Sequence, residues 1–223
     1  MTIKGRTRSS YFEARWPGVL AVLVVLFLAA ILPRRISLFP AWVPYVLGVA
    51  VLTPMVGAGL TAGKGRWERL ERTITILFFL VVGAGSLVNL ANLMSAMVRR
   101  PAEVSGMQLL ASSIGVWITN VLAFSLLYWQ LDRGGPGGRE IREKKKPDWL
   151  FPQEGAPAED VPPDWQPTFV DYLFLGFSTA TAFSPTDALP LTGRAKILMM
   201  IESSISLMTI VVVASRAINI LGS

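Results

Sequence analysis

Four long stretches of the chain carry no charged residue: 16–32, 36–63, 73–98 and 104–131. A fifth, 197–215, carries one, Glu202. A helix needs roughly 20 apolar residues to cross a bilayer. The pattern therefore predicts spanning helices near 16–33, 40–62, 74–98, 107–131 and 195–220. A further apolar stretch, "TFVDYLFLGFSTATAF" at 168–183, reads differently. Thr168 and Asp171 have the spacing of a capping box behind Pro167, so a helix is expected to start there. From Phe169 to Phe183 it would measure about 22 Å, against a hydrocarbon core about 30 Å thick. Pro185 and Pro190 then stop it. A helix apolar enough to enter lipid and too short to cross it is expected to form a re-entrant hairpin. The expected fold is all-α and integral to the membrane: five transmembrane helices plus one short re-entrant pore-type helix.

The chain divides accordingly. Residues 1–131 form a four-span N-terminal bundle. Residues 132–168 form a linker rich in proline, glycine and charge, which is expected to bury no core and to be mobile. Its Trp149 and Trp165 are candidates for docking at the membrane interface. Residues 169–223 comprise the short helix, a hydroxyl-rich loop and the final span. The basic start and apolar core of the first span suggest a signal peptide, but the segment runs into Pro33-Arg34-Arg35 with no small-residue cleavage site, so it is read as a span.

Composition agrees with this picture. Of 223 residues, 52% are hydrophobic and only 16% are charged, where soluble domains carry about a quarter. The net charge of +6 would suggest nucleic acid if the basic residues were clustered, but they flank the spans, where they set orientation. With the N-terminus inside, Lys4, Arg6, Arg8, Arg15, Lys64, Arg66, Arg69 and Arg72 are cytoplasmic; Arg34, Arg35, Arg99 and Arg100 are outside. Eight against four favours a cytoplasmic N-terminus in a plasma-membrane protein. No nucleic-acid partner is expected. Cysteine and histidine are absent, which excludes disulfides, thiol nucleophiles and imidazole bases or ligands. No Asp or Glu pair falls inside a predicted span, so neither an enzyme nor a cofactor is expected.

The polar residues that remain inside apolar segments are the candidates for function. Non-helical backbone at membrane depth persists only where it is buried in protein or lines a water-filled cavity. Thr179, Thr181, Ser184 and Thr186 therefore either offer oxygens to a permeating ion or close the end of the short helix. Asp187 either rings a pore mouth or closes an Asx-type turn after Pro185. Glu202 is the one acid in the predicted final span, and an intramembrane carboxylate costs at least ~2.5 kcal/mol to bury. Glu202, Ser206, Thr209, Val213 and Arg216 fall on one helix face. That stripe either lines a water-filled path or glues two helices through hydroxyls. Asn89, Asn92 and Asn120 are expected to bond between helices, and Trp16, Trp42, Tyr128 and Trp129 to anchor span ends at the interface.

The run Thr179-Ala180-Thr181-Ala182-Phe183-Ser184-Pro185-Thr186-Asp187, then Pro190, Thr192, Gly193 and Arg194, resembles the pore module of tetrameric cation channels of the two-span potassium-channel type. Glu202 and Ala214-Ser215-Arg216 in the final span extend the likeness, which covers about residues 168–221. It implies a homotetramer in a lipid bilayer, with monovalent or divalent cations as partners. It also implies a pore built on Thr179, Thr181, Ser184, Thr186 and Asp187 with Glu202, Ser206, Thr209 and Arg216 on the inner helix. The centre departs from the family: Ser184 and Thr186 replace the filter glycines and Pro185 the tyrosine. Potassium filters need those glycines to turn stacked carbonyls toward the ion, so potassium selectivity is not implied. Segments 120–136 and 171–187 are also similar to a group of bacterial multi-span membrane proteins of no established function.

Overall fold

The computed structural model describes residues 15–31, 42–60, 65–99, 106–140, 146–157, 159–162, 165–181 and 188–221. These are mostly helical. In chain order they form α1 (Trp16–Ile31), α2 (Val43–Leu60), α3 (Gly65–Arg99), α4 (Gly106–Leu131), a short α5 (Gly135–Glu140), α6 (Phe169–Thr181) and α7 (Gly193–Leu221). One two-residue antiparallel ladder pairs β1 (Trp149–Leu150) with β2 (Leu189–Pro190).

Three helices are long and apolar enough to cross a membrane, over Arg69–Asn92, Leu110–Gly134 and Gly193–Ala214. The apolar stretches of α1 and α2, Trp16–Ala30 and Tyr45–Gly57, are shorter among the described residues. The predicted ends of those two spans, at 32–33, 40–41 and 61–62, lie outside the described residues.

α4 is the hub, packed against α1, α3, α6 and α7. Its helix stops because Arg133, Gly134 and Gly135 all take positive φ (54°, 86° and 83°). A side chain at Gly135 would lie 3.1 Å from the Gln130 carbonyl oxygen, so that turn needs glycine both for its angle and for its closeness. The first turn of α1 meets the last turn of α4: a Cβ on Gly18 would lie 2.8 Å from the Trp129 ring. Near the same level Arg15 pairs with Glu71 of α3 (3.3 Å), and Gln130 donates to the other Glu71 oxygen (3.4 Å). α1, α3, α6 and α7 therefore all start at the end where α4 finishes.

Glu202 is not the one acid within a span-length segment, because Glu71 lies in the first turns of the apolar part of α3 and is buried. Arg15 is buried beside it and is no simple headgroup contact. Trp16 and Trp42 are exposed, as anchors would be, but Tyr128 and Trp129 are fully buried. The linker, expected to bury nothing, contributes Asp148, Trp149 and Phe151 to the interior. Trp149 lies 4.7 Å from the Tyr128 ring, centroid to centroid, and Phe151 lies 5.3 Å from Tyr172, so the Trp149 indole is withdrawn from any interface.

Candidate functional site

α6 starts where the capping box predicts. The backbone amide and hydroxyl of Thr168 donate to Asp171 Oδ2 (2.7 and 2.8 Å), while the Thr168 carbonyl accepts from the amides of Asp171 and Tyr172. Phe169, Tyr172, Leu175, Gly176, Thr179 and Ala180 recur at helical spacing and form the buried face. Val170, Phe174 and Phe177 face outward.

The base of α6 is tied to three other elements by charge. Tyr172 donates to Asp132 Oδ2 (2.6 Å), and the Asp148 amide donates to Asp132 Oδ1 (2.7 Å). Asp148 in turn accepts from the Thr192 hydroxyl (2.6 Å) and from Arg194 Nε (2.7 Å) on one oxygen, and from Arg194 Nη2 on the other. The Thr192 oxygen caps the first turn of α7 by accepting from the Ala195 amide (3.2 Å). Arg139 is buried over the Tyr172 ring and donates to the carbonyls of Trp129 and Asp132 (3.0 and 3.1 Å). Asp132, Arg139 and Asp148 were not marked by the sequence. Apart from Arg133 beside Asp132, their partners lie 7 to 46 positions away, beyond any local pattern.

From this base α6 runs in the same direction as α7, and it stops at Thr181 while α7 continues to Leu221. Near its end, Ser203 of α7 donates to the Thr179 carbonyl (3.0 Å). Ser203 lies ten residues into α7, a depth of about 15 Å at the α-helical rise. Beyond α6, β2 pairs with β1 back at the base. α6 thus ends partway along α7, while β2 lies back at the base from which α6 starts.

At this inner end, α4, α6 and α7 meet on polar atoms. Glu202 is fully buried; Tyr128 donates to its Oε2 (2.5 Å), and Asn120 donates to its carbonyl (3.2 Å) and to the Ser206 hydroxyl (3.0 Å). Glu202 Oε1 has no hydrogen-bond partner among the described residues. The contact with α6 is made at Gly176: a Cβ there would meet Ser125 Oγ at 2.5 Å, the Val121 carbonyl at 3.2 Å and Glu202 Oε1 at 3.3 Å.

The predicted site residues separate into three groups. Glu202, Ser206 and Thr209 do share a face, and that face is buried within the chain, with Glu202 and Ser206 bonded to α4. Thr179 and Thr181 sit at the end of α6; their hydroxyls donate to the helix's own carbonyls at Leu175 (2.8 Å) and at Phe177 and Ser178 (both 3.1 Å). Ser184, Thr186 and Asp187, and the side chain of Arg216, lie outside the described residues. Asn120 bonds between helices as expected, whereas Asn92 is exposed. Among the described residues no group of three or more acids could hold a metal ion. Comparison of the chain with protein-family models, with curated proteins and with solved structures finds no match.

Proposed function

We propose that the chain is an integral membrane protein that spans the bilayer five times and conducts cations as a homotetramer. α6 is its re-entrant pore helix. The single observation that carries this reading is the half-depth course of α6 between α4 and α7. A helix that ends about 15 Å in leaves backbone carbonyls open at membrane depth. Those groups are tolerated only against protein or water. One hairpin per chain cannot enclose a path, so closure requires copies around an axis, four in pore modules of this design. With a cytoplasmic N-terminus, the approach of Gly18 to Trp129 favours a hairpin that opens on the cytoplasmic side.

The purified chain in liposomes is expected to pass K⁺, Na⁺ or Ca²⁺ down a gradient, to lose flux in Asp187→Asn, and to have the mass of a tetramer in detergent. A monomeric mass together with no flux of any of the three ions would sink the proposal. A second reading is a non-conducting membrane protein that keeps the hairpin for packing or scaffolding. It is favoured by the burial of the Glu202, Ser206 and Thr209 face, by the bonds of Glu202 and Ser206 to α4, and by the threonine hydroxyls bonding within α6. That reading predicts a monomer or dimer.

A further inference from the structure

We propose that Glu202 is a positioning residue for the hairpin: it sets how α6 seats between α4 and α7, and lies behind the cation path. The inference rests on the pore reading and gives Glu202 a part in it that the sequence did not suggest.

Three observations carry it. Glu202 is fully buried among three helices, so a water path along the outward face of α7, where Met200, Ile201, Leu207 and Met208 are exposed, does not reach its carboxyl. Its contact with α6 falls at Gly176, where the missing side chain lets the α6 backbone lie close to Oε1. A sideways or inward shift of α6 would drive that backbone onto the carboxyl. Finally, Oε2 is held by Tyr128 while Oε1 is left without a partner among the described residues. A buried acceptor without a donor is unfavourable. Ser125 Oγ crowds the same point above Gly176 while donating to the Val121 carbonyl (2.7 Å). The carboxyl is therefore wedged by shape and by one hydrogen bond, the arrangement of a strut. A helix glue would have both oxygens satisfied.

The chain has no cysteine, so a single Thr181→Cys reports the tip of α6. The experiment uses the full chain in liposomes. It measures the rate at which a membrane-impermeant cationic thiosulfonate on both faces modifies that cysteine, alone and combined with Glu202→Gln, Glu202→Ala or Tyr128→Phe. K⁺ and Na⁺ fluxes are measured on the same three variants without the cysteine. Gln keeps the shape and an acceptor for the Tyr128 hydroxyl, so both the rate and the K⁺/Na⁺ ratio stay within about twofold. Losing the strut in Glu202→Ala or Tyr128→Phe moves the tip rate by about tenfold, the worth of one buried hydrogen bond, and the flux ratio moves with it. Should Glu202→Ala fail to fold, Tyr128→Phe removes a single hydroxyl and decides alone. Glu202→Gln abolishing flux with an unchanged tip rate would overturn the proposal, because the carboxyl would then act on the ion itself. An unchanged tip rate in Tyr128→Phe would overturn it too. If no variant, nor the parent, passes cations while the tip rate still moves, the strut stands and the pore reading falls.

Discussion

The two ends of α6 are held by opposite means. At its base, Asp132 and Asp148 are buried carboxylates whose four oxygens all have partners, drawn from α6, the linker and the start of α7. At its inner end there is one carboxyl, Glu202, with one oxygen bonded, and a contact set by the bareness of Gly176. Buried ionic networks are costly to break at any one member, because the partners that remain keep their desolvation cost. A contact made by shape with few bonds is cheaper to disturb and more sensitive to volume. The base therefore decides whether α6 docks, and the inner end decides where it sits.

The largest effect should come from Asp132→Ala. It strips the Tyr172 hydroxyl and the Asp148 amide of their acceptor and Arg133 of a partner at 3.4 Å. We expect a loss of about 3–5 kcal/mol, read as a fall in melting temperature in detergent by circular dichroism. A loss no greater than that of an exposed substitution would mean that the base is not the foundation of α6.

Gly176→Ala comes next. The added methyl would meet Ser125 Oγ at 2.5 Å and two further oxygens at 3.2 and 3.3 Å. Ser125 can turn aside, but the Val121 carbonyl belongs to the backbone and cannot. Overpacking of this kind costs about 1–3 kcal/mol, and α6 must shift to relieve it. The comparison sharpens if the melting temperature falls less than in Asp132→Ala while accessibility of a cysteine at Thr181 changes more. The reverse ranking would break it.

What the sequence disclosed of this arrangement follows from how far each signal reaches along the chain. Runs with no charge, or with Glu202 alone, marked the three long helices, since exclusion of charge is a property of each stretch by itself. The start of α6 was legible because Thr168 and Asp171 are three apart and bond to each other. Glu202 stood out as an acid in a span, but its partners Tyr128 and Asn120 lie 74 and 82 positions away, so its direction did not. Glu71 was passed over because the predicted span began at 74, and a carboxylate at a helix start looks solvated until Arg15 is brought beside it. The linker misled most. A stretch of glycine, proline and charge reads as solvent-seeking, and only the fold places Asp148 against Arg194 and Trp149 against Tyr128.

The smallest effect belongs to the outermost contact of the base, the cap of α6. Asp171→Ala removes the acceptor for both the amide and the hydroxyl of Thr168, whereas Thr168→Ala removes one hydroxyl and keeps the bond from the amide. Both bonds are exposed, so water can replace what is lost. The expected costs are about 1 kcal/mol for Asp171→Ala and less for Thr168→Ala, with the double variant close to Asp171→Ala alone because the two share one interaction. Melting of the three variants in detergent checks the order. Tip accessibility at Thr181 should not change in any of them, because the Asp132–Tyr172 bond one turn further on still fixes the base. A cap variant that moved the tip would show that the base yields as one piece, and the division of labour between the two ends of α6 would fail.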